Sequence, residues 1–132
     1  MASALNRERC RHLDFNIAYM RYLRMAWSVV ALNETVEEEI RSLPMDMRAK
    51  FVRISNMICE FGLHEVGMPH VRPLQGKLWE MRMKGKDRIS RALYVVATGK
   101  KVVVVRAFVK KTQKTPSQEI RLALERAKDI EP

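Results

Sequence analysis

Cysteine is scarce in this chain, and neither residue has a partner at metal-ligand spacing. Cys10 and Cys59 stand in different apparent elements and form no CxxC pair. That excludes a cysteine-based zinc site and favours reduced thiols over a bridge. His12, His64 and His70 have no metal-ligand spacing with cysteine either. Long apolar runs are also missing: none approaches the roughly 18–20 residues that cross a bilayer. The N-terminal segment carries Arg7, Arg9, Arg11, Arg21 and Arg24 but lacks an uninterrupted apolar h-region and a small-residue cleavage site. A cytoplasmic protein without membrane association is expected.

The most informative shortage is of acid. Between Arg72 and Lys114 the only acids are Glu80 and Asp87, against thirteen of the chain's 25 Lys and Arg. Thirteen minus two gives this stretch +11, more than the +10 of the whole protein; the remainder, with 12 basic and 13 acidic residues, is close to neutral. Charge concentrated this way is the footprint of a polyanion-binding surface. It favours nucleic acid, the ribosome or an acidic protein as partner over a neutral metabolite. A solvated sheet face offers a plainer explanation, but such a face ordinarily mixes both signs.

What is present reads as one globular domain: 132 residues, 47% hydrophobic and 30% charged. Residues 1–24 match nothing that follows, and are expected to be an N-terminal extension. They form a short helix near Asp14–Tyr22, an arm, or a segment upstream of a natural start at Met25. The domain itself is expected over residues 25–132. Ala26–Leu32 is rich in β-branched and aromatic residues and predicts a strand. Asn33 or Thr35 then caps a short helix, with Glu38 at capping-box spacing from Thr35. Pro44 opens a second helix whose stripe is Met47, Phe51, Ile54, Ile58 and Phe61, stopped at Gly62.

His64–Gly76 reads as a loop, punctuated by Gly67, Pro69, Pro73 and Gly76. Strands follow at Leu78–Met83, about Arg88–Ala97 and Lys101–Val109, joined by turns at 84–87 and 98–100. Thr115-Pro116-Ser117-Gln118 has the pattern of a helix start with Thr115 as cap, and Ile120, Ala123, Leu124 and Ala127 form the buried face. The order β-α-α-β-β-β-α predicts an α+β domain, with helices packed on one face of a curved, antiparallel-rich sheet.

Side chains alternate along a strand, so Glu80 and Arg82 share a face opposite Trp79, Met81 and Met83. Arg91 lies with Ile89, Leu93 and Val95; Arg106, Phe108 and Lys110 share a face opposite Val103, Val105, Ala107 and Val109. Two or three arginines can therefore gather on the open side of the sheet, beside the 110–114 lysine loop. That loop runs into a helix N-terminus, itself an anion site. The cluster is a candidate cradle for an RNA phosphate.

At these residues the sequence resembles the RelE/ParE toxin superfamily, and within it the HigB-like, phage-derived branch. The matching residues are Leu74-x-Gly76-x-Leu78-Trp79-Glu80-x-Arg82, then Arg91-Ala92-Leu93-Tyr94. Phe108-Val109-Lys110-Lys111-Thr112-Gln113-Lys114-Thr115-Pro116 follows, with Glu119-Ile120 and Ala123 beyond it. The resemblance covers about residues 25–128. It implies a small RelE-like fold and the toxin of a type II toxin–antitoxin pair. The expected partners are a helix-turn-helix antitoxin, the ribosome and mRNA, with no cofactor.

The implied activity is metal-independent mRNA cleavage in the ribosomal A site, by attack of the ribose 2′-OH on the adjacent phosphate. Arg82 and Arg91 match the family's phosphate-facing strand positions; Lys110, Lys111 and Lys114 match its basic loop. Lys77 and Arg106 extend the expected RNA-binding set. Two departures stand out. The last helix has no Tyr or His for proton donation, and Glu80 stands where some relatives carry lysine. The acid/base pair is thus unassigned among the catalytic candidates Arg82, Arg91, His70 and Glu80. His70 is the proton-transfer candidate, because an imidazole ordinarily titrates near neutrality. Tyr94, facing away from Arg91, reads as packing. A gyrase inhibitor of the ParE kind and a non-catalytic nucleic-acid-binding module are the competing functions, and the shared fold does not separate them.

Overall fold

A computed structural model describes residues 27–67, 70–86, 88–110 and 114–131. The N-terminal extension, Asp87 and Lys111 lie outside the described residues. Strand β1 (Ser28–Ala31) leads into α1 (Glu34–Arg41) and α2 (Met45–Phe61), and a 3-10 turn at Leu63–Glu65 follows. Then come β2 (Val71–Gln75), β3 (Leu78–Lys84), β4 (Ile89–Ala97), β5 (Lys101–Lys110) and α3 (Ser117–Ala127). The five strands form one sheet in the order β1-β5-β4-β3-β2. β1 runs parallel to β5, and the other pairs are antiparallel. The α+β, antiparallel-rich class expected from the sequence holds.

Local chemistry explains the boundaries. Asn33, not Thr35, caps α1: its side chain accepts from the Val36 N–H at 3.0 Å. α2 stops at Gly62, whose φ of +87° is open to glycine, while its N–H still reaches Ile58 O at 2.8 Å. A Cβ there would lie 3.2 Å from the Trp27 indole nitrogen. Met47, Phe51, Ile54 and Ile58 of the expected stripe are buried, but Phe61, on the last turn, is 62% exposed. The stretch His64–Gly76 holds an unforeseen strand, β2. Pro73 tolerates a place there because β2 is an edge strand, paired only with β3.

The helices do not share one face of the sheet. α1 and α2 bury Val36, Ile40, Met47, Phe51, Ile54 and Ile58 against Val29, Met81, Met83, Ala92, Tyr94, Val102 and Val104. α3 lays Ala123 and Ala127 on the other side, against Leu78, Leu93, Val95, Val103, Val105 and Phe108. Both faces of β4 and β5 are apolar, so both need cover; each large side chain so buried contributes about 1.5–3 kcal/mol.

A β-bulge also corrects the expected alternation. Leu93 pairs with Arg106 but Tyr94 with Val104, which leaves Val105 as an extra residue. Beyond it the parity of β5 reverses, so Val103, Val105 and Phe108 pack together instead of on opposite faces. Two helices satisfy the bulge's backbone. Glu39 of α1 accepts from Ala107 N–H at 3.2 Å, and Arg126 of α3 donates to Val105 O at 2.9 Å.

Candidate functional site

Residues directly opposite across an antiparallel pair lie on one face. The register puts Arg82 opposite Arg91 and Arg91 opposite Phe108. One row along, Arg72 faces Glu80 and Glu80 faces Leu93; on the other side, Lys84 faces Ile89 and Ile89 faces Lys110. Glu80, Arg82, Arg91 and Lys110 therefore share one face, but it is the face on which α3 packs and not the open side expected from the sequence.

Glu80 lies at the centre of this group and is fully buried. One carboxylate oxygen accepts from Arg72 Nε at 2.9 Å, and the other accepts the Thr115 hydroxyl and lies 3.4 Å from Arg91 Nε. Lys110 Nζ stands 3.5 Å from Thr115 Oγ1. Thr115 therefore does not cap α3; its hydroxyl donates into the sheet, and the helix starts after Pro116 without a side-chain cap. Glu80 is an interior counter-ion that ties β2, β4 and the end of the lysine loop to β3.

One carboxylate against Arg72, Arg91 and Lys110 leaves the buried group with a surplus of positive charge. Burial pulls the Arg91 guanidinium below its ordinary pKa, Glu80 opposes this, and Arg82 and Arg72 add to it. Arg91 stays charged in any case. Lys110 is 5% exposed. Burial and then the Arg91 charge push its ammonium down to about 8, against the pull of Glu80.

Beside this group opens a cavity of about 450 Å³. Its lining is Lys50, Arg53, Ile54 and Met57 of α2, with His70, Arg82, Lys84, Ile89 and Arg91. Five of these nine are Lys or Arg and none is an acid, so the cavity favours an anion. The local fold explains its place. Arg82 N–H donates to His70 O at 2.8 Å, and β2 begins one residue later, so β3 runs on past the start of its neighbour. Lys50 Nζ reaches over that uncovered edge to Lys84 O.

The structure thus brings Arg82, Arg91 and His70 to one cavity, with Glu80 and Lys110 directly behind. Lys114 is exposed, and its neighbour Lys111 lies outside the described residues. Lys77 and Arg106 have other work. Lys77 Nζ donates to Ala127 O at 2.8 Å and Ile130 O at 3.2 Å, closing the end of α3. Arg106 forks onto Glu119 at 2.9 and 3.1 Å and meets Glu39 at 3.0 Å. Burial alone would lower its pKa, but the hydrogen bond to Glu119 and the charges of Glu39 and Glu119 hold it up.

Lys50 and Arg53 escaped the sequence reading. Their signal is spacing: 50, 53, 54 and 57 form an i, i+3, i+4, i+7 stripe beside the core stripe. Tyr94 packs as expected, stacked on Trp79 with ring centroids 6.5 Å apart; burial raises its phenol pKa. Among the described residues no cluster of three or more His, Cys, Asp or Glu offers a metal site. No described helix is long and apolar enough to cross a membrane.

Fold and site together define a small α+β protein with a cavity beside Arg82 and Arg91 that is charged for an anionic group. The family described as phage-derived protein Gp49-like (DUF891) matches residues 38–128, about two thirds of the chain, and the chain belongs to it. This is a family of toxin–antitoxin-type toxins within the RelE/ParE-like superfamily, and membership implies an antitoxin partner. No curated protein matches the chain.

Proposed function

We propose that the protein is a ribosome-dependent mRNA endonuclease of the HigB-like kind, acting in the cytoplasm and held inactive by a helix-turn-helix antitoxin. The observation that carries this reading is the cavity with five Lys and Arg and no acid in its lining. A gyrase inhibitor needs a protein-binding surface and no such convergence of cations.

In the proposed reaction the ribose 2′-oxygen attacks the adjacent phosphorus. The new O2′–P bond replaces the P–O5′ bond, leaving a 2′,3′-cyclic phosphate and a 5′-hydroxyl. The base takes the 2′-OH proton, and an acid delivers one to the departing O5′. Arg82 and Arg91 stabilise the charge on the phosphorane oxygens. His70, on the cavity wall, and Lys110, with its lowered pKa, are the two groups suited to move the protons. Glu80 holds Arg91 and the loop in position.

Primer extension on cellular mRNA after brief induction tests this reading. Discrete new 5′ ends within translated codons are expected. Intact messages together with inhibited DNA supercoiling would replace it with the gyrase reading.

A further inference from the structure

The cavity has two unlike walls. Arg82, Lys84 and Arg91 supply charge from the sheet, whereas Ile54 and Met57 supply an apolar surface from α2, continued by Ile89. A site for bare phosphate has no use for that second wall. About 450 Å³ falls within the range of about 300–1,000 Å³ for small organic ligands, too small for a duplex. Lys50 and Arg53 precede Ile54 and Met57 on the same helical stripe, so charge borders the patch from the helix as well as from the sheet. Charge set beside an apolar wall suits one unstacked nucleotide of a single strand, its phosphate on the cations and its base on the apolar side chains.

We propose that the α2 wall is a nucleobase subsite: a phosphate sits against Arg82 and Arg53 while its base lies on Met57, Ile54 and Ile89. This rests on the RNA reading above and adds to it a contact from helix α2. Met57 is half-buried and unbranched, so it adapts to bases of different outline. The subsite would therefore grip a base with little preference for its identity.

The test is an NMR titration of the full chain with adenosine 5′-monophosphate, adenosine and inorganic phosphate. The methyl signals of Met57, Ile54 and Ile89 report the apolar wall. The monophosphate is expected to move all three methyls and to bind at least about tenfold more tightly than phosphate. Met57→Ser should remove about that tenfold and leave phosphate binding unchanged, while Met57→Leu restores it. Equal affinity for nucleotide and phosphate, or still methyls, would overturn the proposal. So would an acidic peptide that displaces the nucleotide and binds more tightly, since the cleft would then belong to a protein partner. Ribosomal mRNA cleavage separates the two levels. If Arg82→Ala abolishes cleavage while Met57→Ser changes neither cleavage nor nucleotide binding, the nuclease stands and the subsite falls. If Arg82→Ala cleaves normally, the nuclease reading itself fails.

Discussion

Lys110→Met should make the protein more stable and less active. The lysine is 5% exposed, and its ammonium falls from an ordinary 10.5 to about 8. Each pKa unit is worth about 1.4 kcal/mol, so the charged form carries a penalty on the order of 3 kcal/mol in the fold. Methionine matches the length of the stem and brings no charge. Glu80 keeps Arg72 and Arg91 as partners, while the 3.5 Å approach of Lys110 to Thr115 is lost. A gain of about 1–3 kcal/mol at pH 7 is expected, in line with other buried charges replaced by apolar isosteres. The pH dependence identifies the cause. Below pH 8 Lys110 is protonated in both states and the penalty is fully present. Between pH 8 and 10.5 the unfolded chain binds more protons than the fold, so wild-type stability gains with rising pH through this group. Urea melts of both proteins from pH 6 to 10 should show the Met variant's advantage shrinking above pH 8. An advantage that stays constant, or a variant less stable throughout, would refute a penalised Lys110 charge.

Glu80→Gln should cost about 3–5 kcal/mol, because it leaves Arg91 and Lys110 buried without their counter-ion; urea melts measure this, and a neutral outcome would show that the carboxylate is dispensable. Arg106→Ala should cost about 1–3 kcal/mol by releasing Glu119 and leaving Glu39 with Arg126 as its arginine partner, while the salt dependence of ribosome binding stays unchanged. A shallower salt slope would return Arg106 to the RNA-binding set. A chain beginning at Met25 should melt with the full-length chain, because the recognisable sequence pattern begins at Trp27; a chain that fails to fold would place residues 1–24 in the core.

Period and punctuation made most elements legible. The Met47–Ile58 stripe, the stop at Gly62 and strands β3 to β5 all follow from local rules that tertiary contacts did not override. β2 was hidden because Pro73 argues against a strand, and only its edge position permits it. The bulge at Val105 leaves no signature in a run of four valines, yet it decides which side chains of β5 share a face. α3's place on the far face was foreshadowed by that same run, since an uninterrupted apolar strand needs cover on both sides. In the site, Arg82 and Arg91 were legible through strand parity. The roles of Thr115, Lys77 and Arg106 depend on partners 35, 50 and 13 residues away, which no local pattern encodes. Lys50 and Arg53 belong to a second stripe on α2 that only the cavity brings into view.

Single-turnover cleavage of an mRNA on programmed ribosomes, comparing wild type with Arg82→Ala, tests the central claim most directly. Arg82 is half-buried on the cavity wall, and its removal takes away charge without opening the core. The expected result is cleavage by the wild type and a loss of about 10²- to 10³-fold in the chemical step for the variant, with folding and ribosome binding retained. Equal cleavage rates, or a wild type that leaves the mRNA whole, would contradict a nuclease site at this cavity.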